Sequence, residues 1–265
     1  GYDKIARGRV PHIAASTTAG TGSEVTRFAV FTDVARDVKF LSASDHYVPD
    51  VAIVDPDLTV SAPPFVTASA GIDALTHAIE AFVSRHAQPL TDALAISAMR
   101  LIAWALPRAY EDGADTEARV AMHDASLHAG LAFSNSSVAL VHGLARPLGA
   151  VFHIPHGAAN GTLLPHVMTF SLASAPGRYA AIAEALGCAT TRTSIEAQAR
   201  AGADEVARLC RRVGLHGLSA FGITREALTP AASKMAADAV ASGSPANNPR
   251  LATLDEMMEL YERAL

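Results

Sequence analysis

The sequence predicts a mainly α protein in which a short β-rich region leads into a larger helical domain. Three observations carry that prediction. The chain changes character near residue 62, where strand-like runs give way to Ala- and Leu-rich segments with helical periodicity. Hydrophobic residues make up 50% of the 265 positions and charged residues 18%, the balance of a well-buried globular chain. The strand-like runs are also too few for a self-contained doubly wound sheet.

Taken in order, strands are expected at about 11–16, 26–32 and 51–54, separated by the polar segments 17–23 and 33–39. Pro49-Asp50 and Asp55-Pro56-Asp57 bound the last of them. After Pro63-Pro64, helices are expected at about 64–85, 90–110, 115–134, 136–147, 157–171, 176–187, 194–213 and 251–264. Asp115 or Thr116 can cap one of these, and Ala175-Pro176 can open another. A further short helix is expected from Ser233 to Ala241, ahead of the breaker run Ser242-Gly243-Ser244-Pro245. The uncharged stretch from Ala125 to Ala145 contains His128, Ser134, Asn135 and His142, so a buried helical hairpin suits it better than a membrane span.

Charge narrows the function classes. Lys and Arg number 21 against 26 Asp and Glu, a formal charge of -5, and no basic block interleaves with aromatics. Nucleic acid and anionic membrane are therefore poor partners. Cys188 and Cys210 form no metal or redox motif, which fits a reducing, cytoplasmic setting. No signal peptide is visible at Gly1-Tyr2-Asp3-Lys4, so the triplets Asn135-Ser136-Ser137 and Asn160-Gly161-Thr162 are not read as glycosylation sites.

The unusual count is 11 His. Asp73 and His77 are four apart, which on a helix stacks a carboxylate and an imidazole on one face. That spacing alone also fits an ordinary i,i+4 Asp–His hydrogen bond. His142 lies near the end of the uncharged stretch, and His156 sits in a Pro155-His156-Gly157 turn able to direct a ring into a cleft. Together the four would offer one oxygen and three nitrogens, suitable for Fe²⁺ or Zn²⁺. His12, His46, His86, His123, His128 and His166 carry no comparable pattern. The Gly- and hydroxyl-rich run from Thr17 to Ser23 follows a strand and can meet an anion through backbone N–H groups, or be an ordinary polar loop.

Several segments, in order along the chain, resemble the iron-containing alcohol dehydrogenase family. They are Thr17 to Thr26, Gly71 to Ala81, Ala129 to Asn135 leading to Val141-His142-Gly143, Pro155 to Asn160, and Asn247-Asn248-Pro249-Arg250. The resemblance implies the dehydroquinate synthase-like, iron-type alcohol dehydrogenase fold: residues 1–62 would be the end of an N-terminal α/β dinucleotide-binding domain, most of it outside these residues. Residues 63–265 would be the all-helical metal-binding catalytic domain. It further implies that Asp73, His77, His142 and His156 bind the catalytic metal, and that Thr17, Thr18, Thr21 and Lys39 line the side facing NAD or NADP. The implied activity interconverts an alcohol with an aldehyde or ketone, in a homodimer. One departure stands out: a family position commonly His is Arg146 here, whose guanidinium cannot act as a neutral acid–base group. It could instead select an anionic substrate, or turn toward the protein surface or cofactor phosphates. Two alternatives remain open at this point: another metal enzyme of the same fold, and a truncated metal-binding or dimerising module without activity of its own.

Overall fold

The computed structural model describes residues 5, 8–33, 38–189 and 193–265, with the backbone alone at 32, 33 and 38–40. The β region forms two small sheets. Strand β1 (Ile13–Ala15) pairs in parallel with β4 (Val51–Ile53), Ile13 opposite Val51. Strands β2 (Phe28–Asp33) and β3 (Val38–Ala43) pair antiparallel, from Phe28 opposite Ala43 to Asp33 opposite Val38. β3 falls partly in the segment expected to be a polar connection. Its charged positions hid a strand whose partner is the adjacent β2.

The helical part contains, among the described residues, α1 (Pro64–Val83), α2 (Pro89–Glu111), α3 (Thr116–Ser136), α4 (Leu140–Phe152), α5 (His156–Ser171), α6 (Pro176–Ala185), α7 (Ile195–Arg212), α8 (Arg225–Ala241) and α9 (Leu254–Arg263). The starts follow from local chemistry. Pro64, Pro89 and Pro176 sit in opening turns, where a missing N–H is harmless. Asp115, Ser194, Thr224 and Thr253 each accept a backbone N–H in the first turn.

Helix α1 is the central element. From Thr67 to Val83 every residue except Ala70 is buried, and the helix packs on α2, α3 and α5. A helix buried all round must place its polar residues among its neighbours, and α1 does so with Asp73, His77 and Glu80. By length and composition α2 could cross a membrane; in this fold it packs against α1 and α3.

Two expectations need correction. The stretch Ala125–Ala145 is broken by Ser137, whose φ of 72° ends α3, and α4 packs chiefly on α5 and α8 rather than folding back as a hairpin. α8 begins at Arg225, two turns before the expected start, because Leu228, Ala232, Met235, Ala236 and Ala239 form a buried stripe that outweighs Pro230.

Candidate metal centre

Asp73, His77 and Glu80 recur at i, i+4 and i+7 along α1, which aligns them in one stripe. The first turn of α4 supplies His142, and the first residue of α5 is His156. Three helices therefore bring Asp73, His77 and His142 to one point, with His156 at its edge beside Asp73. One ligand-type atom each from Asp73, His77 and His142 lie within 4.8 Å of one another, and all three residues are buried. Asp73 Oδ1 is 3.6 Å from His142 Nε2 and 3.7 Å from His156 Nε2. The His156 side chain is 47% exposed, so the cluster is open to solvent on that side.

The two buried rings each have a partner behind them. His77 Nδ1 lies 3.3 Å from Gly20 O, and its face stacks on Phe133 with centroids 4.1 Å apart. His142 Nδ1 lies 2.7 Å from Glu80 Oε2. On the other side, Asn160 Nδ2 donates to Asp73 Oδ1 at 2.7 Å and lies 3.2 Å from His142 Nε2 and 3.3 Å from His156 Nε2. Asn160 is fully buried, and its Oδ1 has no hydrogen-bond partner among the described residues. Burial also excludes Asn160 as a glycosylation acceptor.

The charges are strongly coupled. Burial alone would raise the Asp73 carboxyl, but His77, His156 and His142 hold it well below the usual carboxylate range. Burial pushes His77 down to about 3, with Asp73 offsetting only part of the effect. His142 is also opposed by burial, yet Asp73 and Glu80 raise it above the ordinary histidine value. A buried carboxylate ringed by imidazoles, with one amide as its hydrogen-bond donor, is a donor set made for a divalent cation. One oxygen and three nitrogens, without thiolate, suit Fe²⁺ or Zn²⁺.

The other expected residues lie around this cluster to different degrees. The Thr17–Gly22 loop reaches it through Gly20, whose carbonyl meets His77 and whose position leaves no room for a Cβ against Ala70 of α1. Thr17 and Thr21 are exposed on that loop, and Thr18 lines a small cleft with Thr67 and Arg119. Lys39 belongs to β3, but its side chain lies outside the described residues. Arg146 Nη1 donates to Ser244 Oγ at 2.8 Å. Glu80 and Asn160 were given no role from the sequence; the available signal was their spacing, seven residues after Asp73 and four after His156.

Comparison with known proteins agrees with this geometry. Residues 67–265 match the Fe-containing alcohol dehydrogenase family, C-terminal, and residues 1–56 match the iron-containing alcohol dehydrogenase family. The NAD-dependent methanol dehydrogenase of Bacillus methanolicus is 40% identical over 266 residues, covering 100% of this chain and 69% of that protein. Lactaldehyde reductase of Escherichia coli (strain K12) is 41% identical over 256 residues, covering 96% of this chain and 65% of the reductase. A crystal structure of 1,3-propanediol oxidoreductase superimposes with a TM-score of 0.96 at 38% identity, over 100% of this chain and 69% of that one. The chain thus spans about two thirds of the length of these relatives. The buried Asp-His-His cluster, taken with these relatives, makes the chain part of a metal-dependent oxidoreductase. The chain belongs to the iron-containing alcohol dehydrogenase family.

Proposed function

We propose that this chain forms the metal-binding part of an NAD(P)-dependent alcohol dehydrogenase, with Asp73, His77, His142 and His156 holding one divalent cation, iron or zinc. The observation that carries the reading is the convergence of the Asp73, His77 and His142 ligand atoms within 4.8 Å, inside a buried cluster with His156 at its open side. When bound, the cation supplies Lewis-acid polarisation of an alcohol or carbonyl oxygen, and the nicotinamide supplies or accepts the hydride.

The chain's own residues prepare that chemistry. Gly20 O and Glu80 hold His77 and His142 through their Nδ1 atoms, leaving both Nε2 atoms for the cluster. Phe133 covers one face of His77 and keeps water from it. Half-exposed His156 marks the side from which a small alcohol or aldehyde approaches. Thr17, Thr18, Thr21 and Lys39 are read as the cofactor side, supported for the three threonines by the contact of their loop with His77 through Gly20. Arg146, one turn after His142, is read as a cation favouring substrates with a negative group.

Residues 1–62 are read as the end of a dinucleotide-binding domain and 63–265 as the metal-binding domain. Family matches ending at 56 and resuming at 67, either side of Pro63-Pro64, support that division. Unpaired Cys188 and Cys210 support a cytoplasmic setting, and the net charge of -5 gives no support to a nucleic-acid or membrane partner. The family resemblance implies a homodimer.

Elemental analysis tests the centre. Wild type is expected to carry one Fe or Zn per chain, and folded Asp73→Ala and His156→Ala proteins to lose most of it. Wild-type metal content in both variants sinks the assignment.

A further inference from the structure

Glu80 lies on α1 one turn beyond His77, and it is only 2% exposed. Its carboxylate spans to the beginning of α4. Oε1 accepts from Val141 N at 2.5 Å, while Oε2 accepts from Ala139 N at 2.9 Å and meets His142 N at 3.4 Å. The same Oε2 is 2.7 Å from His142 Nδ1. Helix α4 is preceded by Ala139 at its N-cap, which has no capping side chain of its own, so Glu80 serves the otherwise orphaned N–H groups at the start of the helix.

We propose that Glu80 is a positioning residue for the metal centre: it fixes the ring of His142 with the proton on Nδ1 and the Nε2 lone pair directed at Asp73 and His156. This rests on the ligand assignment above. The tautomer follows from counting donors. The other three partners of the two Glu80 oxygens are backbone N–H groups, and a carboxylate oxygen accepts, so the hydrogen shared with His142 belongs to Nδ1. A neutral ring with Nδ1–H has a bare Nε2, and the nearer of the two groups facing that atom, Asn160 Nδ2 at 3.2 Å, is a donor, with Asp73 Oδ1 farther off at 3.6 Å. An imidazole ligand is oriented by what its second nitrogen bonds, and a carboxylate in that place raises its basicity. One side chain thus sets both where α4 begins and how its first-turn histidine points.

A purely structural cap would change stability without changing affinity for metal beyond what any comparable destabilisation does. Chelator-treated full-length chain titrated with Co²⁺, read by its visible absorption, separates the two. Glu80→Gln is expected to weaken Co²⁺ binding about 10- to 100-fold and to alter the absorption bands. Met99→Ala, a destabilising change deep in α2, is expected to leave both unchanged. Equal losses in the two variants, or wild-type affinity and bands in Glu80→Gln, overturn the role of Glu80. Failure of the wild type itself to bind Co²⁺ overturns the ligand assignment, and this inference with it. Folding of the variant is not required for a second measurement, long-range ¹H–¹⁵N spectra of the imidazoles in Zn²⁺-loaded wild type. His142 is expected with Nδ1 protonated and Nε2 bound to metal; metal on Nδ1 overturns the proposal.

Discussion

His142 and Arg146 sit one turn apart on α4 and meet different partners. The imidazole joins the buried cluster, while the guanidinium reaches Ser244 in the 3-10 turn Ser244–Asn247. If Arg146 also selects anionic substrates, its planar fork should matter more than its charge. Full-length enzyme carrying Arg146→Lys is then expected to lose about tenfold of its kcat/KM preference for a carboxylate-bearing aldehyde over a matched neutral one, the size of one charge-assisted hydrogen bond of about 1.5 kcal/mol. An unchanged ratio would leave Arg146 as a tie between α4 and the Ser244 turn. The Asp73/His77 pair stood out by its spacing but was ambiguous alone, and His156 stood out by its Pro-Gly flanks. His142 was marked only by its place near the end of the uncharged stretch, and the resemblance is what joined it to the other three as one ligand set. Glu80 and Asn160 meet their partners only when α1, α4 and α5 come together, so their spacing from Asp73 and His156 was too slight a signal to single them out.

Helix boundaries show the same division. Where a side chain close in sequence caps the helix, as at Asp115, the start could be read directly. α4 was expected at about 136–147 but runs from Leu140 to Phe152, since its cap comes from Glu80, 59 residues before Ala139. The crossing of α1 and α5 has a comparable hidden determinant in Gly157. A Cβ there would lie 2.1 Å from Ser69 O and 2.8 Å from Ser69 C, both backbone atoms that cannot swing aside. Gly157→Ala is expected to destabilise the fold by about 1–3 kcal/mol in urea titration, the usual range for overpacking. Because Gly157 follows His156, the same change should also weaken Co²⁺ binding. An unaltered urea midpoint would show that the two helices can separate without penalty.

The buried imidazoles make the stability of the whole molecule depend on pH. Burial pushes His77 down to about 3 and also lowers His123 and His166. In the unfolded chain each returns to an ordinary value of about 6.5. Between about pH 3 and 6.5 the unfolded chain therefore binds protons that the folded chain does not, so stability rises with pH across that window. His77 alone gives a slope approaching ~1.4 kcal/mol per pH unit. Asp73 adds to the trend at the acid end: its folded value is depressed, so its contribution is present above about pH 3.9 and fades as pH falls below it. His142 has the opposite sign. Its folded value is raised, so its contribution is full below about pH 6.5 and is lost only at higher pH, outside the window. Chelator-treated protein is therefore expected to lose about 2 kcal/mol between pH 6 and pH 4 by urea unfolding, and His77→Gln to flatten that slope. Metal-loaded protein should respond more steeply, because ligation requires neutral imidazoles and an ionised Asp73 that protons compete for. If His77→Gln retains the full wild-type slope without metal, the acid sensitivity arises elsewhere, and the neutral buried state assigned to His77 is wrong.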